Sequence, residues 1–174
     1  IVTFDGTAYD FQAAGEFVLA QNQTPGEPPF NVQVRQGPVG DSDSCQNLTM
    51  NQALSTSIND KKVGAYPVRD KPLYVDGEYI NLSSDQCLAF NDGSRIAAVS
   101  DEVLKFEWWT GEELWIDLGI GIIHTAMELP EHRDGDVAGI LGAFGDSAPE
   151  GLVRQDGTHL GTYFNSDELY GPYA

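Results

Sequence analysis

The sequence predicts an all-β fold, an antiparallel β-sandwich of short strands and hairpins. Three observations carry that prediction. Nineteen glycines and nine prolines are spread along the 174 residues, no segment sustains a 3.6-residue apolar period, and several stretches alternate or carry hairpin turns. A chain of this length is expected to form one domain over residues 1–174, large enough to bury a core.

The elements follow in chain order. In "FNVQVRQ", Phe30, Val32 and Val34 fall on one face and Asn31, Gln33 and Arg35 on the other, which is a half-buried strand. The flanking "TPGEPP" (24–29) and "GPVGDSDS" (37–44) read as loops. In "PLYVDGEYINL", a two-residue Asp76-Gly77 loop pairs Val75 with Glu78, Tyr74 with Tyr79 and Leu73 with Ile80. In "LKFEWWTGEELWIDL", a three-residue loop at Thr110 to Glu112 sets Trp108 against Leu114, Phe106 against Ile116 and Lys105 against Asp117. Loops of two or four residues would set Leu104 or Phe106 against Asp117 instead. "DLGIGIIHTAMELP" continues as a strand with glycine bends, and the small residues of "GDVAGILGAFGD" suit a tight core crossing. The remainder, "GLVRQDGTHLGTYFNSDELYGPYA", mixes short strand and turn pieces.

Charge narrows the function. Twenty-seven acidic residues against nine basic give a net charge of −18, which repels nucleic acid and anionic lipid. Such a surface suits divalent cations, cationic partners or a salty exterior, or serves as a solubility coat. No apolar run approaches the ~18 residues of a membrane span. The chain opens on no charged-apolar-small leader, so any signal peptide is expected to lie outside it.

Cys45 and Cys87 sit in polar, turn-rich sequence, without the companions of a metal site or a Cys-x-x-Cys spacing. A single disulfide between them is expected, worth about 4 kcal/mol in the chain-entropy account. The alternative is two unpaired thiols.

Catalytic readings fare poorly, and no enzyme is expected. An Ile-Val start and "GDSAPEG" echo a serine protease, but His124, His132 and His159 all lie in the last third, leaving no base where that fold needs one. No Gly-x-Ser-x-Gly elbow, phosphate loop or zinc-ligand spacing is present. Carboxylate pairs are too abundant to point to glycoside hydrolysis. His124 reads as a hydrogen-bonded strand residue. "EHRDGDV" (131–137) reads first as a solvated turn and second as a cation site. Sequons at Asn22, Asn47 and Asn81 fit an exterior protein.

The opening "VTFDGTAYDFQAAGEFVLA" closely resembles the start of von Willebrand factor type D domains. The likeness continues in order through "FNVQVRQ", "PLYVDGEYINL" and "FEWWTGEELWIDL". "GDVAGILGAFGDSAPEGLVRQDGTHL" is similar to the family's Gly-Leu-Leu-Gly-Asn-Phe-Asp-Gly block, and "ELYGPYA" to a closing segment of the bacterial branch.

The resemblance implies a non-enzymatic, secreted or cell-surface module for adhesion or assembly. Its partners would be neighbouring domains of the same polypeptide or copies of itself, with no nucleic acid and no membrane span. It further implies a calcium ion where Asp5 meets the acidic loop. There Ala143 stands for the family Asn and Gly145 for the Asp, leaving Asp146 and Glu150 as the nearby acids. Calcium takes about six to eight oxygens, so three carboxylates would need carbonyls and water beside them. Glu16 stands where many members carry a cysteine, as in the cysteine-poor bacterial type. Many members precede this start with Gly-Asp-Pro-His, and some split there. Processing with trimming, or a boundary of a fragment from a larger modular protein, are both open origins of Ile1. A ligand-binding module for polysaccharide or lipid is the alternative function. Trp109 and Trp115, opposite the Leu104, Phe106 and Trp108 face, would be its ligand face if open, and core if packed.

Overall fold

The computed structural model describes residues 1–39, 48–67, 72–118, 121–146, 152–153 and 159–161. Every strand pair among them is antiparallel, and the regular structure is all β apart from a single 3-10 turn at Glu131–Arg133. The chain forms two compact units, one from Ile1–Thr49 with Glu131–Ala174 and one from Met50–Pro130.

In the first unit, β1 (Gly15–Asn22) pairs with β2 (Asn31–Pro38). Val32 and Val34 are buried while Gln33 and Arg35 face out, as the alternation requires. A bulge between Val18 and Ala20 re-aims β1 so that Leu19 and Ala20 are both buried. All of "TPGEPP" (24–29) lies in the loop that connects the two strands, and the predicted loop at 37–44 starts late, because Gly37 and Pro38 extend β2.

Three further segments belong to this unit. The first residues fold into a small turn closed by a Val2–Ala8 bridge, and Phe4 N donates to Leu141 O at 2.9 Å. The Phe4 and Phe144 rings meet edge to face at 5.6 Å. The expected tight crossing is present. A short strand, Val137–Ala138, pairs with Asn22 and Gln21, and Ile140 N and Leu141 N then donate to Val18 O and Leu19 O. Gly139, at φ +150°, makes this possible, since a Cβ there would lie 2.9 Å from Ala20 Cα. Farther on, Leu152–Val153 and His159–Gly161 pair as a two-stranded ribbon.

The segment expected to be a solvated turn is a turn, with Glu131, His132, Asp134 and Gly135 exposed, but it buries Arg133, Asp136 and Val137. Arg133 has 0 % exposure. Its Nη1 donates to Asp136 Oδ2 at 3.0 Å and its Nη2 to Pro28 O at 2.9 Å, while the guanidinium stands 5.1 Å from the Phe30 ring centroid. Asp136 Oδ1 in turn accepts from Gln23 N and Thr24 N. The β1–β2 connection is thus wrapped around one buried ion pair, and burial is tolerated because each charge is matched.

The second unit is a sandwich in its own right. One sheet runs β3 (Thr49–Ile58), β4 (Lys61–Ala65), β5 (Leu73–Val75), β6 (Glu78–Tyr79). The other has the order β11 (His124–Glu128), β10 (Glu113–Asp117), β9 (Val103–Glu107), β8 (Arg95–Ala98), β7 (Cys87–Ala89). Leu54, Ile58, Val63 and Leu73 are buried from one sheet, and Ile96, Leu104, Phe106, Leu114 and Ile116 from the other. Trp108 adds its ring to this core and donates Nε1 to Ser57 O at 2.9 Å.

Of the two predicted hairpins, the first holds in every pair: Tyr74↔Tyr79, Val75↔Glu78, and Ile80 N donating to Leu73 O. Asp76 and Gly77 both have positive φ, as a type I′ turn demands. The second keeps its three-residue loop and its faces but slides by two positions. Leu114 lies opposite Phe106, Ile116 opposite Leu104, and Lys105 opposite Trp115 rather than Asp117. Gly111 explains the slide. At φ +101° it fills the left-handed position that ends such a loop, so the loop is 109–111 and Trp108 N bonds Glu112 O. A third hairpin, β3 to β4, turns at Asn59 and Asp60, both at positive φ. The sequence reading missed it.

Asp136→Ala would strand the buried guanidinium and is expected to lower the unfolding free energy by about 3–5 kcal/mol in urea denaturation. Burial pushes the Asp136 carboxyl up, but hydrogen bonds from Thr24, Arg133 and Gln23 more than offset it and hold it below its ordinary value. Its stabilising contribution is therefore complete above about pH 4 and lost as pH falls through the depressed value. The acid limb of the wild-type stability curve should be steeper than that of the variant.

Candidate functional site

Two places hold the residues singled out from sequence. The first is the turn at Asp5 with the loop after Gly139. Asp5 Oδ1 accepts from Thr7 N at 3.0 Å and from the Thr3 hydroxyl, and Gly6 follows at φ +83°. The Thr-Phe-Asp-Gly sequence is thus a self-capped turn whose aspartate closes its own backbone. Asp146 is exposed, and Glu150 lies outside the described residues.

Just before Asp146, Gly145 has φ +97°, and a Cβ there would stand 2.8 Å from Asp134 Cα and inside the Asp134 carboxylate. The side chain of Asp134 therefore occupies the space that an aspartate at 145 would need. Among the described residues no group of three or more His, Cys, Asp or Glu side chains converges as a metal would require. The described residues alone do not fit a calcium ion.

The second place is the outer face of the β7–β11 sheet. Neighbouring strands set Cys87, Ala97, Lys105, Trp115 and Ala126 in one cross-strand row, and Ala89, Arg95, Glu107, Glu113 and Glu128 in the next. Lys105 Nζ lies 3.0 Å from Glu107 Oε1, 2.9 Å from Glu113 Oε1 and 4.9 Å from the Trp115 ring centroid. Arg95 grips Glu107 from the other side through both Nε and Nη2. The Arg95 bonds first, and Lys105 after them, outweigh partial burial and pull the Glu107 carboxyl down to about 2. Hydrogen bonding to Glu113, ahead of that to Glu107, raises Lys105.

The tryptophans separate. Trp115 is half-buried within this face, whereas Trp109 is 58 % exposed at the hairpin tip, its backbone N–H donating to Ser94 Oγ at 3.0 Å. Neither joins the core, which takes Trp108 instead. Cys87, also on this face, is exposed and forms no disulfide among the described residues, and Cys45 lies outside them. Asn22 is half-buried and accepts from Phe30 N at 3.0 Å, Asn81 is exposed, and Asn47 is outside the described residues. His124 opens β11 opposite Asp117, exposed. The charge ladder on this face escaped the sequence reading. Its signal was the alternation of charged residues with core residues in "LKFEWWTGEELWID", visible only once the register is right.

Comparison with known families finds that the model of the von Willebrand factor type D domain matches residues 1–158. Comparison with curated proteins returns no match.

Three outcomes follow for these places. In a carbon-detected NMR titration the Glu107 carboxyl should titrate near pH 2, and Arg95→Ala should move it upward. At protein concentrations where the chain is monomeric, thermal unfolding with calcium and then with a chelator is expected to leave the midpoint unchanged, and a rise of several degrees there would give Glu150 a ligating role. Gly145→Asp should cost about 2 kcal/mol or more through its positive φ and the clash with Asp134.

Proposed function

Because the chain belongs to the von Willebrand factor type D domain family, we propose that it is a non-enzymatic structural module of a larger secreted or surface protein, acting in adhesion or assembly. The family match over residues 1–158 carries this reading. Domains of this family are generally structural, typically extracellular, and parts of longer chains. No helix among the described residues is long and apolar enough to cross a membrane.

The contacts we propose are with neighbouring domains of the same polypeptide and with copies of the chain. At a net charge of −18, like surfaces repel, so close association needs cations between them. Calcium is proposed as that bridge, acting between acidic surfaces. The bridge proposed between Cys45 and Cys87 would stiffen the module and keep Cys87 out of links to other chains.

Size-exclusion chromatography with light scattering tests the assembly reading. The isolated chain is expected at its monomer mass of 18.9 kDa in chelator and at higher mass as calcium and protein concentration rise. A mass fixed at the monomer in both conditions and at every concentration would overturn assembly between copies.

A further inference from the structure

We propose that β11 is the contact through which two copies of this chain associate, pairing edge to edge and antiparallel about a two-fold axis at Ala126. The proposal rests on the assembly reading and names the surface through which it acts.

The ladder bonds show which groups β11 offers. Trp108 N donates to Glu112 O and Leu118 N to Glu102 O, so the even-numbered residues of β10 bond β9. Glu113, Trp115 and Asp117 therefore bond β11, through the residues opposite them, Glu128, Ala126 and His124. The N–H and C=O of Thr125 and Met127 are left pointing away from the sheet. Ile123, in phase with them, shows the same direction. Its N–H donates to Asn51 O at 3.0 Å, and its carbonyl accepts from Asn51 Nδ2 at 3.2 Å. Among the described residues nothing bonds the outer side of Thr125 or Met127.

An open edge is usually guarded by shortness, by Lys or Pro, or by a bulge. Every other open edge among the described strands has only two or three residues. β11 has five, "HTAME", in unbroken register with β10 and without Lys or Pro. It carries none of the usual guards.

Its sequence selects a second copy as the occupant. Antiparallel pairing centred on Ala126 sets Thr125 against Met127 of the copy and joins the strands by about four backbone hydrogen bonds. Ala126 meets Ala126 in a pair without such bonds, where Cα atoms approach to about 4.5 Å and short side chains fit. His124 then stands against Glu128 of the copy, on both sides of the axis. Within its own chain Glu128 lies opposite Glu113, a like-charged pair, and His124 lies opposite Asp117. An imidazole arriving from the copy donates to the Glu128 carboxylate and offsets the like pair. Other centres fit worse. Centring on Thr125 would call on Ile123, already bonded to Asn51, and centring on Met127 would set Glu128 against Ala126. Two chains of net charge −18 still repel, so the pairing, like the assembly, is expected in calcium.

Sedimentation equilibrium in calcium, on the wild type and three variants, tests the contact. The wild type should reach the mass of a dimer as concentration rises. Thr125→Pro removes an N–H that no bond within the described chain uses, at an edge position open to proline. It should stay monomeric, with an unfolding midpoint in chelator within a few degrees of wild type. Glu128→Lys should weaken the dimer about tenfold, and adding His124→Glu should restore it to within about twofold. Net charge alone predicts the reverse order, because Glu128→Lys makes the chain less acidic and His124→Glu more so. Should Thr125→Pro not fold, the Glu128 series decides alone. Association of these variants equal to that of an associating wild type would overturn pairing through β11 and leave the assembly reading standing. A wild type monomeric at every concentration would overturn both.

Discussion

The first unit depends on one guanidinium. Arg133 is fully buried, and the groups that match it come from distant parts of the chain: Asp136 beside it, the Pro28 carbonyl and the Phe30 ring from the β1–β2 connection. Asp136 passes the link on to Gln23 and Thr24. A proline-rich loop, turned on a long Glu27 N to Thr24 O bond of 3.4 Å, therefore acquires a defined path. A buried pair of this kind adds little net stability over an apolar replacement, but it allows few alternatives, because any other arrangement leaves a charge unmatched in the interior. The same constraint places Val137 and Ala138 against the end of β1, and Gly139 then lets the chain cross close over Leu19 and Ala20. The physical role of Arg133 is specification of path more than strength.

In the second unit the two faces of one sheet divide the work. Inward, Ile96, Leu104, Phe106, Leu114 and Ile116 are packed away from water. Outward, the same strands present Arg95, Lys105, Glu107 and Glu113 in adjacent rows. Pairing across three strands holds long side chains that would otherwise be free, and it takes Glu107 far below the ordinary carboxylate range. Exposed ion pairs contribute little to stability singly. Their effect here is on order: Lys105 is fixed over the Trp115 ring by two carboxylates at once.

What could be read from the sequence were features fixed by neighbours along the chain. The alternation of "FNVQVRQ" and the Asp76-Gly77 turn each state their geometry within a few residues, and both appear as expected. The hairpin at Trp108 was legible in its faces but not in its register. Sliding by two preserves which side chains point inward, so the apolar pattern cannot distinguish the two registers, and only the positive φ available to Gly111 does. Asn59 and Asp60 carried a turn signal of the same kind, weaker because neither is glycine. Arg133 was illegible for a different reason. "EHRDGDV" looks solvated because its charges are dense, and the partners that permit burial, Pro28 and Phe30, lie about a hundred residues upstream.

The turn at Asp5 gives that aspartate a task of its own. Its carboxylate oxygen is engaged by Thr3 and Thr7 in closing a turn. That turn is what docks Phe4 against Leu141 and Phe144. The residue thus has a structural reason to be present whatever ion the loop meets. At 145 the left-handed backbone and the Asp134 side chain leave no room for a carboxylate. The space is taken by a residue of the chain that leads out of Arg133, so the turn that buries the guanidinium also decides which side chain can stand beside Gly145.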